Sequence, residues 1–352
     1  MEKKLSFDVK TAQKLFATVA RIDQFKGRWV EIEHKENRLL RELRTVATIQ
    51  SIGSSTRIEG STLTDEEVEK LLRNIKITQF KTRDEQEVAG YFEALELILD
   101  QPQHIELSIS NIKTLHNQLM KFNEKDVKHK GDFKKFTNKV VAHYPDGSQR
   151  TIFNTTEPYL VDKEMDELVE WTNRELTNKA FHSLFVIGAF VYEFLSIHPF
   201  QDGNGRLSRL LTSLLLLREG YDFVQYISFE HIIEARKTAY YRALMAGQQL
   251  RSTDHEIIGE WMSFFFSCLE ELVQKLDEKY TRYLKIGGYL NERQRQLLEL
   301  VREKGAVRLP DAAVQFSEVS ERTLKRDLRV LESELLIEKG GRGKAIVYRA
   351  TK

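Results

Sequence analysis

Helical periodicity along most of the chain, two short strand pairs and only five prolines in 352 residues predict a mainly α protein. The segments Asp65 to Leu72, Val88 to Leu99, Ile109 to Leu119, Met165 to Leu176 and Glu256 to Leu284 each repeat apolar residues three and four apart. That is the period of a helix with one buried face. Phe181 to Ile197 is apolar almost throughout, yet it carries His182 and Glu193 and is short for a bilayer span, so it is expected to be a buried helix. One strand pair joins Val140-Val141-Ala142-His143-Tyr144 to Gln149-Arg150-Thr151-Ile152-Phe153 through Pro145-Asp146-Gly147-Ser148. Its Asp-Gly step supplies the positive φ that a tight hairpin needs. A second pair is expected around Gly340-Gly341-Arg342-Gly343. Breaks at Gln101-Pro102-Gln103 and Ile286-Gly287-Gly288 mark expected domain edges. The chain is therefore read as an N-terminal helical region (1–100), a helical core with one hairpin (101–250), a connecting helix (251–285) and a small C-terminal domain (286–352).

Charge and cysteine usage narrow the function classes. With 54 basic and 53 acidic residues the chain is nearly neutral, so nucleic-acid or membrane binding by the molecule as a whole is excluded and must rest on a local patch. Cys268, the single cysteine, sits among Phe264, Phe265, Phe266 and Leu269 and is expected to be a buried thiol. That usage suits a reducing compartment. The opening Met1-Glu2-Lys3-Lys4-Leu5-Ser6 leads into no long apolar core, so no signal peptide is read and a cytoplasmic location without a membrane partner is expected.

The segment that carries chemistry is His198-Pro199-Phe200-Gln201-Asp202-Gly203-Asn204-Gly205-Arg206-Leu207-Ser208-Arg209. The apolar helix should stop at His198, because a residue before proline is driven out of the helical region. A second helix, from about Gly205 to Leu217 with Leu207, Leu210, Leu211 and Leu214 inward, should follow and end at Gly220. The intervening loop thus lies at a helix N-terminus, where Gly203 and Gly205 let backbone N–H groups approach an anion. Arg206 and Arg209, three apart, can direct both guanidinium groups at one polyphosphate. Asp202 offers a hard oxygen to Mg²⁺, and His198 has the intrinsic pKa of a general base for an attacking hydroxyl. No Walker-type Gly-x-x-x-x-Gly-Lys-Ser/Thr loop is present, which argues against a P-loop fold.

These residues resemble the Fic-family motif His-x-Phe-x-Asp/Glu-Gly-Asn-Gly-Arg-x-x-Arg at every fixed position. The resemblance implies a protein adenylyltransferase: ATP binds over the loop, a target hydroxyl attacks the α-phosphorus in line, and pyrophosphate leaves. By position it makes His198 the base and Asp202 the Mg²⁺ ligand. Asn204 and the loop amides would take the α-phosphate, and Arg206 and Arg209 the β- and γ-phosphates. Nucleotide contacts are thereby expected along Gly203, Asn204, Gly205, Arg206, Leu207, Ser208 and Arg209. Lys237 to Leu244 resembles the nucleotide-lining helix of the family, with Tyr240 and Tyr241 toward adenine or ribose. The bland alternative makes one tyrosine core and the other surface. The hairpin at Val140 to Phe153 takes the place of the family's flap, whose edge could pair with an extended target segment. A purely structural hairpin is the alternative. Thr155-Thr156-Glu157-Pro158 departs from the paired prolines of relatives, so target contacts do not carry over.

Ser55, Glu59 and Gly60, within Ser54-Ser55-Thr56-Arg57-Ile58-Glu59-Gly60-Ser61, resemble the family's inhibitory motif Ser/Thr-x-x-x-Glu-Gly/Asn. The implied role for Glu59 is to pair with Arg209 and compete with the γ-phosphate for it. A helix end at Gly60 explains the same residues without a brake.

From Leu290 the pattern reads as three helices and a two-stranded wing, with Asn291 and Ser320 as N-caps and Gly305 as a stop. The third helix turns Leu324, Leu328 and Leu331 inward and carries Arg322, Lys325, Arg326 and Arg329. Residues 291–352 hold an excess of four positive charges. This resembles a winged helix-turn-helix, whose third helix would enter the major groove while Arg342 and Lys344 reach phosphate. A solvated basic face and a protein-docking wing are the alternatives.

Two functions compete at this stage. One is AMP transfer to a hydroxyl on a target protein or on the chain itself, with a homodimer possible. The other is a nucleotide-sensing, DNA-binding regulator. Removal of AMP at the same site, with Glu59 positioning water, is a third.

Overall fold

Two long helices open the chain, α1 (Val9–Lys35) and α2 (Asn37–Ile58). The sequence marks them only as part of a helical region. α1 shows why it is amphipathic: Leu15, Val19, Ile22, Phe25, Trp29 and Ile32 recur three and four apart and are all buried. The chain continues through α3 (Asp65–Arg73), α4 (Arg83–Asp100) and α5 (Ile109–Leu119). Thr64 with Glu67, and Thr82 with Glu85, form complete capping boxes that start α3 and α4. The hairpin follows, β1 (Lys139–His143) antiparallel to β2 (Gln149–Asn154), with a register shift between Val140 and Val141. The structure, a computed structural model, describes residues 1–35, 37–75, 79–123, 129–143, 149–285, 290–334, 336–341 and 346–351. The Pro145–Ser148 turn, the Ile286-Gly287-Gly288 break, and Arg342 and Lys344 lie outside these residues.

Next come α6 (Val161–Asn178), α7 (Ser183–Ile197), α8 (Asn204–Arg218), α9 (Phe229–Ala235), α10 (Lys237–Gln248) and α11 (Gly259–Lys285). The chain divides into two units, Met1–Leu276 and Asp277–Lys352, so the boundary falls within α11. The centre of the first unit is α7, in which every residue from Leu184 to Ile197 is buried. A helix apolar all round has no solvent face to offer, and α7 accordingly packs against both α6 and α8. Its one buried carboxylate, Glu193, is paired with Lys4 and with Arg251 at 3.1 Å. Trp261 of α11 donates its indole N–H to Gly188 O at 2.7 Å. Cys268, on α11, is fully buried, and burial pushes its thiol up to about 12. Among the described residues no helix is long and apolar enough to cross a membrane.

The second unit holds α12 (Glu292–Lys304), α13 (Leu309–Gln315), α14 (Glu321–Ser333), β3 (Ile337–Gly340) and β4 (Val347–Ala350). Asn291 and Ser320 cap α12 and α14, and Gly305 ends α12. Leu297, Leu298, Val301, Val307, Leu328, Leu331, Ile337 and Tyr348 make its core. The antiparallel β3–β4 pair is extended by a bridge from Val307 to Tyr348. The architecture is the predicted one: mainly α, one hairpin in the helical core, and a C-terminal winged helix-turn-helix.

Candidate active site

The loop between α7 and α8 is built by its own side chains. α7 ends on His198 in the left-handed region (φ 54°), not in the extended region usual before proline. Its N–H still closes the last helical turn on Phe194 O at 2.9 Å. Asn204 then ties the loop: its amide oxygen accepts from Phe200 N at 2.8 Å and its amide nitrogen donates to Phe200 O at 2.7 Å. Gly203, at φ 79°, supplies the turn into α8. Phe200 is fully buried and stacks on His116 of α5, ring centroids 3.8 Å apart. His116 donates from Nε2 to Asp202 O at 3.0 Å and accepts from Gly131 N at 3.0 Å. Burial pushes its imidazole down to about 4, so it is a neutral strut.

The hairpin is fastened to the same loop. Lys134, 4% exposed, donates from one ammonium to Asn138 Oδ1 (2.8 Å), Thr155 Oγ1 (2.7 Å) and Ile197 O (3.0 Å). Its backbone N–H bonds Pro199 O at 2.8 Å, and Asn138 donates to Phe200 O at 2.8 Å. Burial pulls the Lys134 ammonium down to about 8, against the attraction of Glu157 and Glu164.

A cavity of about 230 Å³ opens over this loop, lined by His198, Asp202, Gly205, Glu59, Tyr240 and Tyr241 among others. His198 Nδ1 lies 3.2 Å from Leu195 O. A carbonyl only accepts, so Nδ1 carries the proton and Nε2 keeps its lone pair. Burial moves the imidazole down to about 4, with the Leu195 bond opposing, so the ring is a neutral base at physiological pH. Asp202 takes Arg83 at 2.9 Å, Arg206 at 3.4 Å and the Gly203 N–H at 2.6 Å. Burial works against its charge, yet Arg206, the Gly203 N–H and Arg83 together hold it below the usual carboxylate range. Arg206, 1% exposed, also meets Glu87 at 3.1 Å, and Glu87 is held in turn by Arg83 at 2.7 Å.

Arg209 is 3% exposed and reaches back to α2: Nε donates to Ser55 Oγ at 2.8 Å, and Nη2 to Ser55 O at 2.9 Å and Glu59 Oε1 at 2.8 Å. The Glu59 carboxylate covers the start of α8. A methyl group on Gly205 would meet Glu59 Oε1 at 2.1 Å, so a larger residue there would push the carboxylate aside. Burial disfavours the Glu59 charge, but Arg209 outweighs it and holds the group below its ordinary value. Ser55 and Glu59 are thus brought to the second arginine of the motif, while Gly60, at φ 108°, supplies the turn that follows the helix end. Neither Arg206 nor Arg209 lines the cavity itself; each stands behind a carboxylate that does, Arg206 behind Asp202 and Arg209 behind Glu59.

Several sequence assignments change in detail. The Asn204 side chain is spent on closing the loop, not on a ligand. Leu207 is fully buried with its N–H on Gly203 O, and the Ser208 hydroxyl is on Gly205 O at 2.8 Å, so neither side chain is offered to the cavity. Tyr240 and Tyr241 are both buried and both line the cavity, which removes the one-core, one-surface alternative. Lys134, His116, Glu87 and Arg83 escape a reading of the sequence. Nothing in the sequence sets Lys134 apart from exposed Lys135, or His116 from any other helical histidine. A larger cavity of about 660 Å³, bordered by Arg44, Thr48, Arg73 and Phe92 among others, holds no residue of the motif.

Asp202 suits a Mg²⁺ carried in by a nucleotide, since such ions are held by one or two carboxylates plus phosphate oxygens. Among the described residues no cluster of three metal-ligating side chains exists. In the second unit Arg322, Lys325, Arg326 and Arg329 are all exposed on α14. Asp327, on the opposite side, is buried against Arg293 and Gln294.

Residues 106–216 match the Fic/DOC family and residues 293–348 the DeoR-like helix-turn-helix domain. Over 190 residues the chain is 31% identical to the protein adenylyltransferase Fic of Drosophila grimshawi, covering 53% of this chain and 37% of the fly protein. The counterpart in Drosophila erecta is 32% identical over the same length, 36% of that protein. The chain thus spans well under half the length of the curated relatives it matches. Among solved structures, a Fic family protein from Desulfovibrio desulfuricans G20 shares the fold over 99% of this chain and 98% of its own, with a TM-score of 0.64 and 23% identity. Fic-1 from C. elegans (residues 134–508) gives 0.59 at 20% identity, over 77% of this chain and 74% of that one. The chain carries a Fic/DOC-family domain joined to a C-terminal DeoR-like helix-turn-helix domain.

Proposed function

We propose that the chain transfers AMP from ATP to a hydroxyl side chain of a protein, restrained by Glu59. The observation that carries this is the convergence at one cavity of a neutral His198, the start of α8 at Gly205, and two carboxylates, Asp202 and Glu59, that are paired with the buried Arg206 and Arg209 behind the cavity wall. The likeness to adenylyltransferases over the same region supports it. In this reading the triphosphate lies over Gly203 and Gly205, with Arg206 and Arg209 on its β- and γ-phosphates. His198, which lines the cavity, takes the proton of the attacking hydroxyl on Nε2. Asp202 would hold Mg²⁺, which neutralises phosphate charge when bound. Tyr240 and Tyr241 wall the nucleoside. The target hydroxyl belongs to another protein or to this chain, presented along the hairpin edge.

Glu59 acts as the brake because it already holds the Arg209 donor that a γ-phosphate needs. The test is incubation with Mg²⁺ and ATP labelled at the α-phosphate. Label on protein with Glu59→Gly, weaker label with wild type and none with His198→Ala is expected. No label with any variant, tested with lysate as target, overturns the transfer reading.

A second role is favoured by one observation, the exposed basic face of α14 in a unit matching DeoR-like domains. We infer that this unit binds duplex DNA through Arg322, Lys325, Arg326 and Arg329. It coexists with AMP transfer, or makes the nucleotide site a sensor. Removal of AMP uses the same residues and is separated by following release of label from a pre-labelled protein.

A further inference from the structure

Glu59 lies one residue beyond the end of α2, in a turn closed by Glu59 N–Thr56 O and Gly60 N–Arg57 O bonds. Its aim is therefore set by where the last turn of α2 sits. One side of that turn is held by Ser55 on Arg209, inside the site already described. The other side is held by Arg57, which points away from the cavity and uses every nitrogen of its guanidinium. Nε and Nη2 grip both oxygens of Glu234 on α9, at 2.7 and 3.0 Å. Nη1 donates to Leu63 O at 3.0 Å and pairs with Asp65 Oδ1 of α3 at 3.0 Å. Nη2 also reaches Ser54 Oγ at 3.2 Å.

Gly53 makes room for this fork: a methyl group there would meet Arg57 Nη1 and Asp65 Oδ1, each at 2.7 Å. The fork-to-fork pair to Glu234 is the strong kind of ion pair, specific in geometry as well as charge. It ties α2 to α9, and α9 runs through Arg236 directly into α10, which carries Tyr240 and Tyr241.

We propose that Arg57, through Glu234, is a positioning residue for the inhibitory glutamate: it latches the end of α2 so that Glu59 meets Arg209. The proposal rests on the brake described above. Burial disfavours the charge on Glu234, but Arg57 outweighs it and keeps the carboxylate below its ordinary value, so the latch is charged at neutral pH. The same contact links the brake to the wall of the nucleoside site, and no residue of the phosphate cradle takes part in it.

The test uses the full chain and ATP labelled at the α-phosphate. Glu234→Gln keeps the shape of the side chain and removes its charge, and should raise labelling about tenfold, the effect of losing one charged hydrogen-bonded pair. Arg57→Gln should do the same. Neither should raise labelling further in a Glu59→Gly background, because there is no glutamate left to aim. Glu234→Gln at the wild-type level, while Glu59→Gly is raised, overturns the latch and leaves the brake standing. Additive rises in the Glu59→Gly background also overturn it, since the effect then comes from elsewhere. If Glu59→Gly is itself not raised, the brake fails and the latch with it. Should Arg57→Gln not fold, the isosteric Glu234→Gln and its epistasis with Glu59→Gly decide the matter alone.

Discussion

Replacing Glu59 by glycine is the sharpest perturbation of this site. The substitution removes one hydrogen bond at 2.8 Å, donated by a guanidinium that is 3% exposed to a carboxylate whose side chain is 29% exposed. Hydrogen bonds to charged groups contribute about 1.5–3 kcal/mol, and the partial exposure of Glu59 places this one near the lower end, at ~1.5–2 kcal/mol. A productive triphosphate must displace that bond, so the competent fraction of bound ATP in wild type is reduced by the same free energy. Each ~1.4 kcal/mol is tenfold, which gives an expected rise of about 10- to 30-fold in the rate of label transfer from ATP. Glu59→Gln keeps an acceptor oxygen without the charge and should fall between. The assay is initial-rate labelling at saturating Mg²⁺–ATP, with ATP affinity measured separately by calorimetry. Equal rates for wild type and Glu59→Gly, with ATP bound by both, refute the reasoning: the ion pair would then be a helix-end contact and nothing more.

Other outcomes follow from the same geometry. In the Glu59→Gly background, His198→Ala should lower labelling by a factor of about 10² or more, the range for loss of a general base. The pH profile of kcat/KM in that background should show no inflection near 6.5. A base with its pKa lowered to about 4 stays unprotonated until the pH falls through that value, and loss of Glu59, whose charge favoured the imidazolium, moves it lower still. Rates read from pH 5 to 9 check this, and a limb centred at 6.5 contradicts it. Phe200→Ala should cost about 3–5 kcal/mol in denaturant unfolding, because the ring is fully buried against His116 and Phe133. Labelled-duplex anisotropy against salt should show the slope of log K shrinking by about one for each of Arg322, Lys325, Arg326 and Arg329 changed to Ala; unchanged slopes take α14 off the DNA.

What is legible in the sequence divides from what is not by the range of the forces involved. The α7–α8 loop is legible because its geometry is local: an apolar run, a proline, two glycines and a new run of leucines lie within one short segment. Asn291 and Ser320 are legible as caps for the same reason. The pairing of Glu59 with Arg209 spans 150 positions and comes from resemblance alone. Lys134 and His116 act across 63 and 86 positions, and no local pattern distinguishes a lysine that will be buried with three acceptors from its solvated neighbour. The tie made by Asn204 reads in sequence as a ligand contact. An amide that suits a phosphate is equally able to bond its own loop, and only the backbone of Phe200 decides between them.

The ammonium of Lys134 has a consequence beyond stability. One nitrogen touches the foot of the hairpin, at Asn138 and Thr155, and the residue that precedes the base, at Ile197. The strand edge on which a peptide would be laid and the imidazole that would strip its proton are therefore surveyed from a common datum. Any tilt of the hairpin that carried a peptide inward would pull on the end of α7, and the base would travel with it. For a peptide laid along that edge, the spacing between its hydroxyl and the imidazole would thus be set at the foot of the hairpin, where Lys134 holds Asn138, Thr155 and Ile197 together.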